Sequence, residues 1–210
     1  DDIATPLGEE FYIRLPDSIP DGRLAPLVLR NPFLNIAELS PRTWPAVLNK
    51  RSVIYRSVIA NPGTIVALDR DRIYARNLEV PSGGGVGTAR AIAHAYGSLA
   101  NGGTELGISP DTLRELAAPP VPPRHGFHDE CLQGDLRFSL GFMRPGPVWA
   151  FGGPRSFGAP GAGGSLGYAD PDTRTGYAYI CNRMGKSKDD PRDVALRTAL
   201  DTCITNNSTI

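Results

Sequence analysis

From Phe157 to Ser165 the chain reads Phe-Gly-Ala-Pro-Gly-Ala-Gly-Gly-Ser, and five glycines (Gly158, Gly161, Gly163, Gly164, Gly167) fall within ten positions. Glycine has no Cβ, so it stands where backbone must pass close to another group or take a positive φ. In a strand interior it marks a bulge or a point where a ligand approaches the main chain. The chemistry on offer is therefore main-chain contact with a bound molecule. Tight sheet-to-sheet packing or a plain Gly-rich loop uses the same residues, and spacing alone leaves both open.

Other groupings carry less. His125 and His128, with Asp129, Glu130 and Cys131 beside them, are metal-ligating types. No second ligand group stands at a known spacing, so neither a metal nor another cofactor is expected. Gly83, Gly85 and Gly87 open a helix, a position suited to phosphate. They do not fit GxGxxG and no Lys-Ser/Thr follows, so nucleotide binding is not expected. His94, inside that helix, reads as a packed or surface histidine. Cys131, Cys181 and Cys203 are odd in number and far apart, which excludes a disulfide framework or a CxxC knuckle. They read as buried small hydrophobes.

The 210 residues suffice for one domain with a real core. Lys and Arg number 22 and Asp and Glu number 22, so the formal net charge is zero. No basic excess exists to release phosphate counterions, which argues against nucleic acid or an acidic membrane as partner. No apolar run approaches the ~18 residues of a membrane span. The chain starts Asp1-Asp2-Ile3, with no signal-peptide pattern, and reads as a processed product or fragment. The compartment stays open, with a soluble, cytoplasmic protein favoured.

The positioning elements follow from periodicity and punctuation. Residues 1–15 read as a loop and a short strand with Phe11, Ile13 and Leu15 on one side. Residues 16–80 are Pro-rich and read as an insertion or lid, with a short helix over 41–49 started by Ser40-Pro41. Thr88 caps a helix over 88–100 with Ile92, Tyr96 and Leu99 on its apolar face, ended by Asn101-Gly102-Gly103. Ser109-Pro110 starts another over 110–117. Leu136, Phe138, Leu140 and Phe142 alternate with polar or small residues, predicting one strand with one buried face. Residues 164–169 and 176–182 flank Asp170–Thr175 as an antiparallel hairpin. A last helix from Pro191, capped by Asp190, is expected to bury Leu196, Leu200 and Cys203 while packing across the sheet. Helices, then sequential strands, then a closing helix predict an α+β fold, an antiparallel sheet flanked by helices.

In this order the signals resemble the C-terminal part of the serine β-lactamase-related family: penicillin-binding proteins, class C-like β-lactamases and esterase relatives. Four segments carry the resemblance: Thr5-Pro-Leu-Gly8 with Phe11 to Pro16; Glu79-Val-Pro-Ser82 with Gly87-Thr-Ala-Arg90 and Tyr96 to Gly103; Arg137 to Met143; and Phe157 to Ser165 through Asp170-Pro171 to Asn182-Arg-Met184. The last is the most specific. The resemblance implies a partial β-lactamase/transpeptidase-like fold, 1–210 forming a single incomplete domain, and a small-molecule ester or amide as substrate.

That family acylates a serine held in S-x-x-K, with a Tyr or Ser from a second motif and a K-T-G-like strand. Ala159-Pro160-Gly161 occupies the place of the third element, and Ala162 follows it. The resemblance makes the N–H of Ala162 one arm of an oxyanion hole, with Gly161, Gly163 and Ala159 beside it in the substrate site. Two departures count against activity. Ala159 stands where the family has Lys or His, and its methyl can neither orient a carboxylate nor assist proton transfer. No serine is followed by Lys three positions on, and Tyr55-Arg-Ser57 and Tyr96-Gly-Ser98 stand in the wrong order for the second motif. No catalytic residue is therefore assigned within this chain. An uncovered sheet edge and an exposed underside of the helix over 88–100 are also expected, inviting self-association or pairing with an N-terminal part.

Overall fold

The structure is a computed structural model describing residues 2–28, 44–60, 76, 79–130 and 133–207. In chain order its elements are α1 (Ala4–Leu7), β1 (Phe11–Tyr12), α2 (Trp44–Leu48), β2 (Val86–Gly87), α3 (Ala89–Ala100) and α4 (Pro110–Ala117). Then come β3 (His128–Asp129), β4 (Gly134–Asp135), β5 (Phe138–Ser139), β6 (Phe142–Met143), β7 (Phe157–Pro160), β8 (Leu166–Asp170), β9 (Thr175–Tyr179) and α5 (Pro191–Asn207). The architecture is α+β, as expected.

The site rests on the five-stranded antiparallel sheet β5-β6-β7-β8-β9. Its centre is fixed by register: Phe157 faces Ala169, Gly158 faces Tyr168, and Tyr168 in turn faces Tyr177. Alternation sends Phe157 and Ala169, both fully buried, to one face, where they meet Leu99, Ala100, Leu116 and Ala117. Burying one such phenyl ring stabilises the fold by about 3 kcal/mol. Tyr96, Phe142 and Phe157 meet edge to face, with ring centres 6.3 and 5.4 Å apart. The other face gathers Phe151, Leu166 and Tyr168 with Trp149 and Tyr177.

Helix α3 begins and ends as its sequence dictates. Thr88 Oγ1 accepts from the Ala91 N–H, and Asn101 closes the last turn through Gly97 and Ser98 carbonyls. Its apolar face lies on β8 and β9, so the underside expected to be open is covered by the sheet. Helix α4 is likewise capped by Ser109, whose hydroxyl accepts from the Thr112 N–H. The loop before α3 packs Gly85 and Gly87 against the Phe11 ring.

Several elements depart from expectation. Residues 4–7 form one helical turn within the segment read as loop, ended by Gly8 at φ 63°. The run from Leu136 is a tight hairpin, because Leu140 (φ 47°) and Gly141 (φ 85°) turn the chain between β5 and β6. Phe138 and Leu140 consequently face solvent. In α5, Leu196 is 54% exposed and Cys203 is exposed, with Leu200 half-buried. The inward side is rotated onto Asp193 and Arg197, because a polar seam seats this helix: Tyr177 Oη donates to Asp193 Oδ1 at 2.9 Å, and Arg197 Nε to Asp193 Oδ2 at 2.8 Å. Cys181 is only half-buried. Of the expected helix over 41–49, residues 44–48 are helical; 41–43, like Cys131 and most of 61–78, lie outside the described residues.

Arg144 is a buried cation with no carboxylate at hand among the described residues. Its guanidinium donates to the carbonyls of Leu116 and Ala117, at the end of α4, and of Pro154 and Arg155, just before β7. Burial, with Arg155 adding repulsion, pushes its pKa down from the ordinary arginine value. The negative end of α4 and the four carbonyls supply the compensating field.

Helix α3 approaches β9 most closely at Gly176, where a Cβ would collide with the Gly97 N and the Ala93 carbonyl. A methyl on Gly97 would instead meet only Gly176 Cα, at 3.9 Å. Gly176→Ala is therefore expected to destabilise the chain by about 1–3 kcal/mol in urea unfolding. Gly97→Ala should be neutral or stabilising, by up to about 1 kcal/mol, through helix propensity. Equal costs for both would contradict this packing.

Candidate functional site

Strand β7 delivers the Gly-rich segment to one end of the sheet. Ala159 faces solvent at its tip, paired in register with Gly167, and Pro160 with Leu166. After Gly161 the chain leaves the strand in a single 3-10 turn, Ala162–Gly164, and returns into β8. Gly163 sits at φ 78° and Gly164 at φ 95°, where side chains are strained. A Cβ on Gly163 would also stand 2.8 Å from Met184 Cγ, and one on Gly164 would stand 2.6 Å from the Lys186 carbonyl. These two glycines thus serve both the turn and the close approach of a second loop.

That loop, 182–190, ties down the turn. Gly185 N–H donates to the Gly163 carbonyl at 2.8 Å, and Cys181 Sγ donates to the same oxygen at 3.2 Å. Gly163 N–H donates to Ser187 Oγ at 3.2 Å. Within the turn, Gly161 N–H donates to the Ser165 carbonyl at 2.6 Å and Gly164 N–H to the Gly161 carbonyl at 3.3 Å. Of the four consecutive N–H groups, that of Ala162 alone has no acceptor among the described residues, and Ala162 is exposed. Gly161 and Gly163 therefore shape the turn with their own donors engaged, Ala159 contributes a methyl, and Ala162 presents the free donor.

The loop is held in turn by Asp190, which is 3% exposed. Its carboxylate accepts from the Lys186 and Arg192 N–H groups and, at 2.8 Å each, from Arg192 Nε and Nη2. The Arg192 guanidinium, with these N–H groups adding to it, holds the Asp190 carboxyl down to about 2. The cap expected at the start of α5 is the Arg192 N–H to Asp190 bond. On the far side Trp149 Nε1 donates to the Ser187 carbonyl. A strand-like bridge adds the Pro-rich region to this wall: Val28 N–H donates to the Asn182 carbonyl at 2.7 Å, and Met184 N–H to the Val28 carbonyl at 2.9 Å.

Sequence reasoning missed Ser187, Asp190's hold on the loop, and Val28. Asp190 offered one signal, its place before Pro191, which marks a cap and not a loop clamp. Asp170, read only as a turn residue, also braces the hairpin: its carboxylate accepts from the Gly153 and Asp172 N–H groups, both at 3.0 Å. His94 is outside the site, with Nδ1 2.9 Å from Glu9 Oε1. His128 lies 3.9 Å from Asp135, and no group of three metal-ligating side chains converges among the described residues. No helix among them is long and apolar enough to cross a membrane.

An antiparallel sheet with helices on both faces, ending in a Gly-rich turn, is the architecture of the serine β-lactamase-related family. The chain belongs to the Beta-lactamase family, whose model matches residues 15–201. It is 35% identical over 125 residues to the esterase/beta-lactamase LipL of Mycobacterium tuberculosis (strain ATCC 25618 / H37Rv), a match covering 59% of this chain and 28% of LipL. It superposes on the crystal structure of a family VIII carboxylesterase with a TM-score of 0.66 and 30% identity, over 97% of this chain and 50% of that one. For a penicillin-binding protein homolog from Caulobacter crescentus the TM-score is 0.57 and the identity 28%, over 92% and 48% of the two chains. The chain thus spans about half the length of these solved relatives.

The Asp190 carboxyl titrates lower in the folded chain than an unfolded aspartate, near 3.9. A depressed folded pKa gives stability that is complete above about pH 4 and lost as pH falls towards about 2. Asp190→Asn is therefore expected to lower the urea midpoint at neutral pH, and the gap to the unsubstituted chain should close across that window. A gap constant down to about pH 2 would contradict the clamp.

Proposed function

We propose that this chain is the C-terminal part of a serine hydrolase of the β-lactamase/esterase type, one incomplete domain in which 16–80 is an insertion or lid. The substrate is a small ester or amide. A serine hydroxyl attacks its carbonyl carbon, giving its proton to a base, and the alcohol or amine leaves. Water then releases the acyl group from the serine. In this reading the serine and base come from residues outside this chain, since no S-x-x-K occurs in it. Ala162 supplies one oxyanion donor.

The carrying observation is that, among the described residues, Ala162 has the one N–H of 161–164 without an acceptor, at the exposed corner of a turn whose other three N–H groups are engaged. Aimed at a developing alkoxide, one such donor contributes about 3 kcal/mol to the transition state. Ala159 favours a neutral ester or simple amide over a substrate whose carboxylate must be gripped. The same alanine supports a second reading, a non-catalytic binding or scaffold protein using the old cleft. The coding sequence upstream of Asp1 separates them: an S-x-x-K there supports the enzyme.

Nucleophile and base act as a unit, and losing either removes most of the rate. This chain alone is therefore expected to leave a chromogenic short-chain ester unhydrolysed and to take no label from a fluorophosphonate probe. Covalent labelling of any residue, read by intact mass, would refute that. Among the described residues no strand covers the outer edge of β9, and an open edge invites pairing. Sedimentation is expected to show self-association of the isolated chain; a monodisperse, cooperatively melting monomer would contradict it.

A further inference from the structure

Among the described residues the Asp190 carboxylate makes no hydrogen bond to the turn's N–H groups, but it holds the loop that does. Four donors converge on it, from Lys186 N, Arg192 N, Arg192 Nε and Arg192 Nη2. Arg192 Nη1 adds a bond to the Arg183 carbonyl at 3.1 Å, so the stretch 183–192 is closed on itself. This closed loop reaches the turn at two points, the Gly185 N–H on the Gly163 carbonyl and Ser187 Oγ under the Gly163 N–H. Asp190 Cβ would stand 3.0 Å from a Cβ on Gly164, so the clamp is also packed against the turn.

We infer that Asp190 and Ser187 are positioning residues: together they latch the loop 183–190 onto the turn at Gly163, and so fix the direction in which Ala162 presents its N–H. The inference rests on the reading of that N–H as the oxyanion donor. Without the latch Gly163 N–H has no acceptor, and the turn is free to swing its peptide planes, taking the Ala162 donor with them. Ser187 is exposed, so its replacement leaves the core untouched.

The test uses the full chain labelled with 15N, with Ser187→Ala, Ser187→Thr and Asp190→Asn. Ser187→Ala is expected to speed exchange of the Gly163 N–H at least about tenfold and to move the Ala162 cross-peak. Exchange at Ala169 and the melting temperature should stay as they are, and Ser187→Thr should restore both signals. Asp190→Asn is expected to move Ala162 and Gly163 in the same direction as Ser187→Ala. Unchanged Ala162 and Gly163 signals in Ser187→Ala overturn the latch. Protection lost equally at Ala169 overturns it too, by marking a general structural role. Should Asp190→Asn fail to fold, the two Ser187 variants decide. The readout needs no substrate, so its failure is distinct from failure of the acyl-transfer reading, which falls on covalent labelling of the chain.

Discussion

A main-chain donor keeps a fixed direction when the peptides on either side of it are tied down, and the bond from Gly163 N–H to Ser187 Oγ ties down the peptide that follows Ala162. An unpaired donor in a loose loop turns to water or to its own chain. In a turn whose neighbouring N–H groups are bonded it stays where the backbone points it. In the turn 161–164 the Gly161 and Gly164 N–H groups are engaged from within by the Ser165 and Gly161 carbonyls, the Gly163 N–H from outside by Ser187, and the Gly163 carbonyl by Gly185. Among the described residues the one N–H of the turn left over is that of Ala162, held by geometry and not by a bond.

Everything further out serves to keep that turn in place. Register between β7 and β8 brings Gly161 opposite its acceptor, and Asp170 braces the far end of the same hairpin. Arg144 ties the approach to β7 onto the end of α4, using carbonyls in place of a carboxylate. Such a cation is costly to bury, and its four bonds offset that cost only while both segments stay put. Tyr177, Asp193 and Arg197 seat α5 through polar contacts, so the clamp at Asp190, just before its first residue, inherits a fixed helix.

Much of this was legible from residue order. Caps at Thr88 and Ser109 announce themselves, because a side-chain oxygen before an apolar periodic run has one main use. The β8–β9 hairpin, with its Asp-Pro-Asp turn, is equally plain, as is the α+β class. Leu140-Gly141 misled because an alternating run predicts one strand, and leucine is not a residue that signals a turn with positive φ. Leu196 misled because α5 is seated by charge, and a hydrophobic stripe says nothing about an Asp–Tyr–Arg seam. At the site, glycine spacing marked the turn but not the loop that holds it. Ser187 and Val28 lie far from it in sequence, and only tertiary contact connects them.

The central claim, a single free donor between bonded N–H groups, is tested most directly by site-resolved amide exchange in the unsubstituted chain. The account predicts protection at Gly161 and Gly163, with Ala162 between them exchanging at the rate of an open peptide. Protection at Ala162 matching that of its neighbours would contradict it.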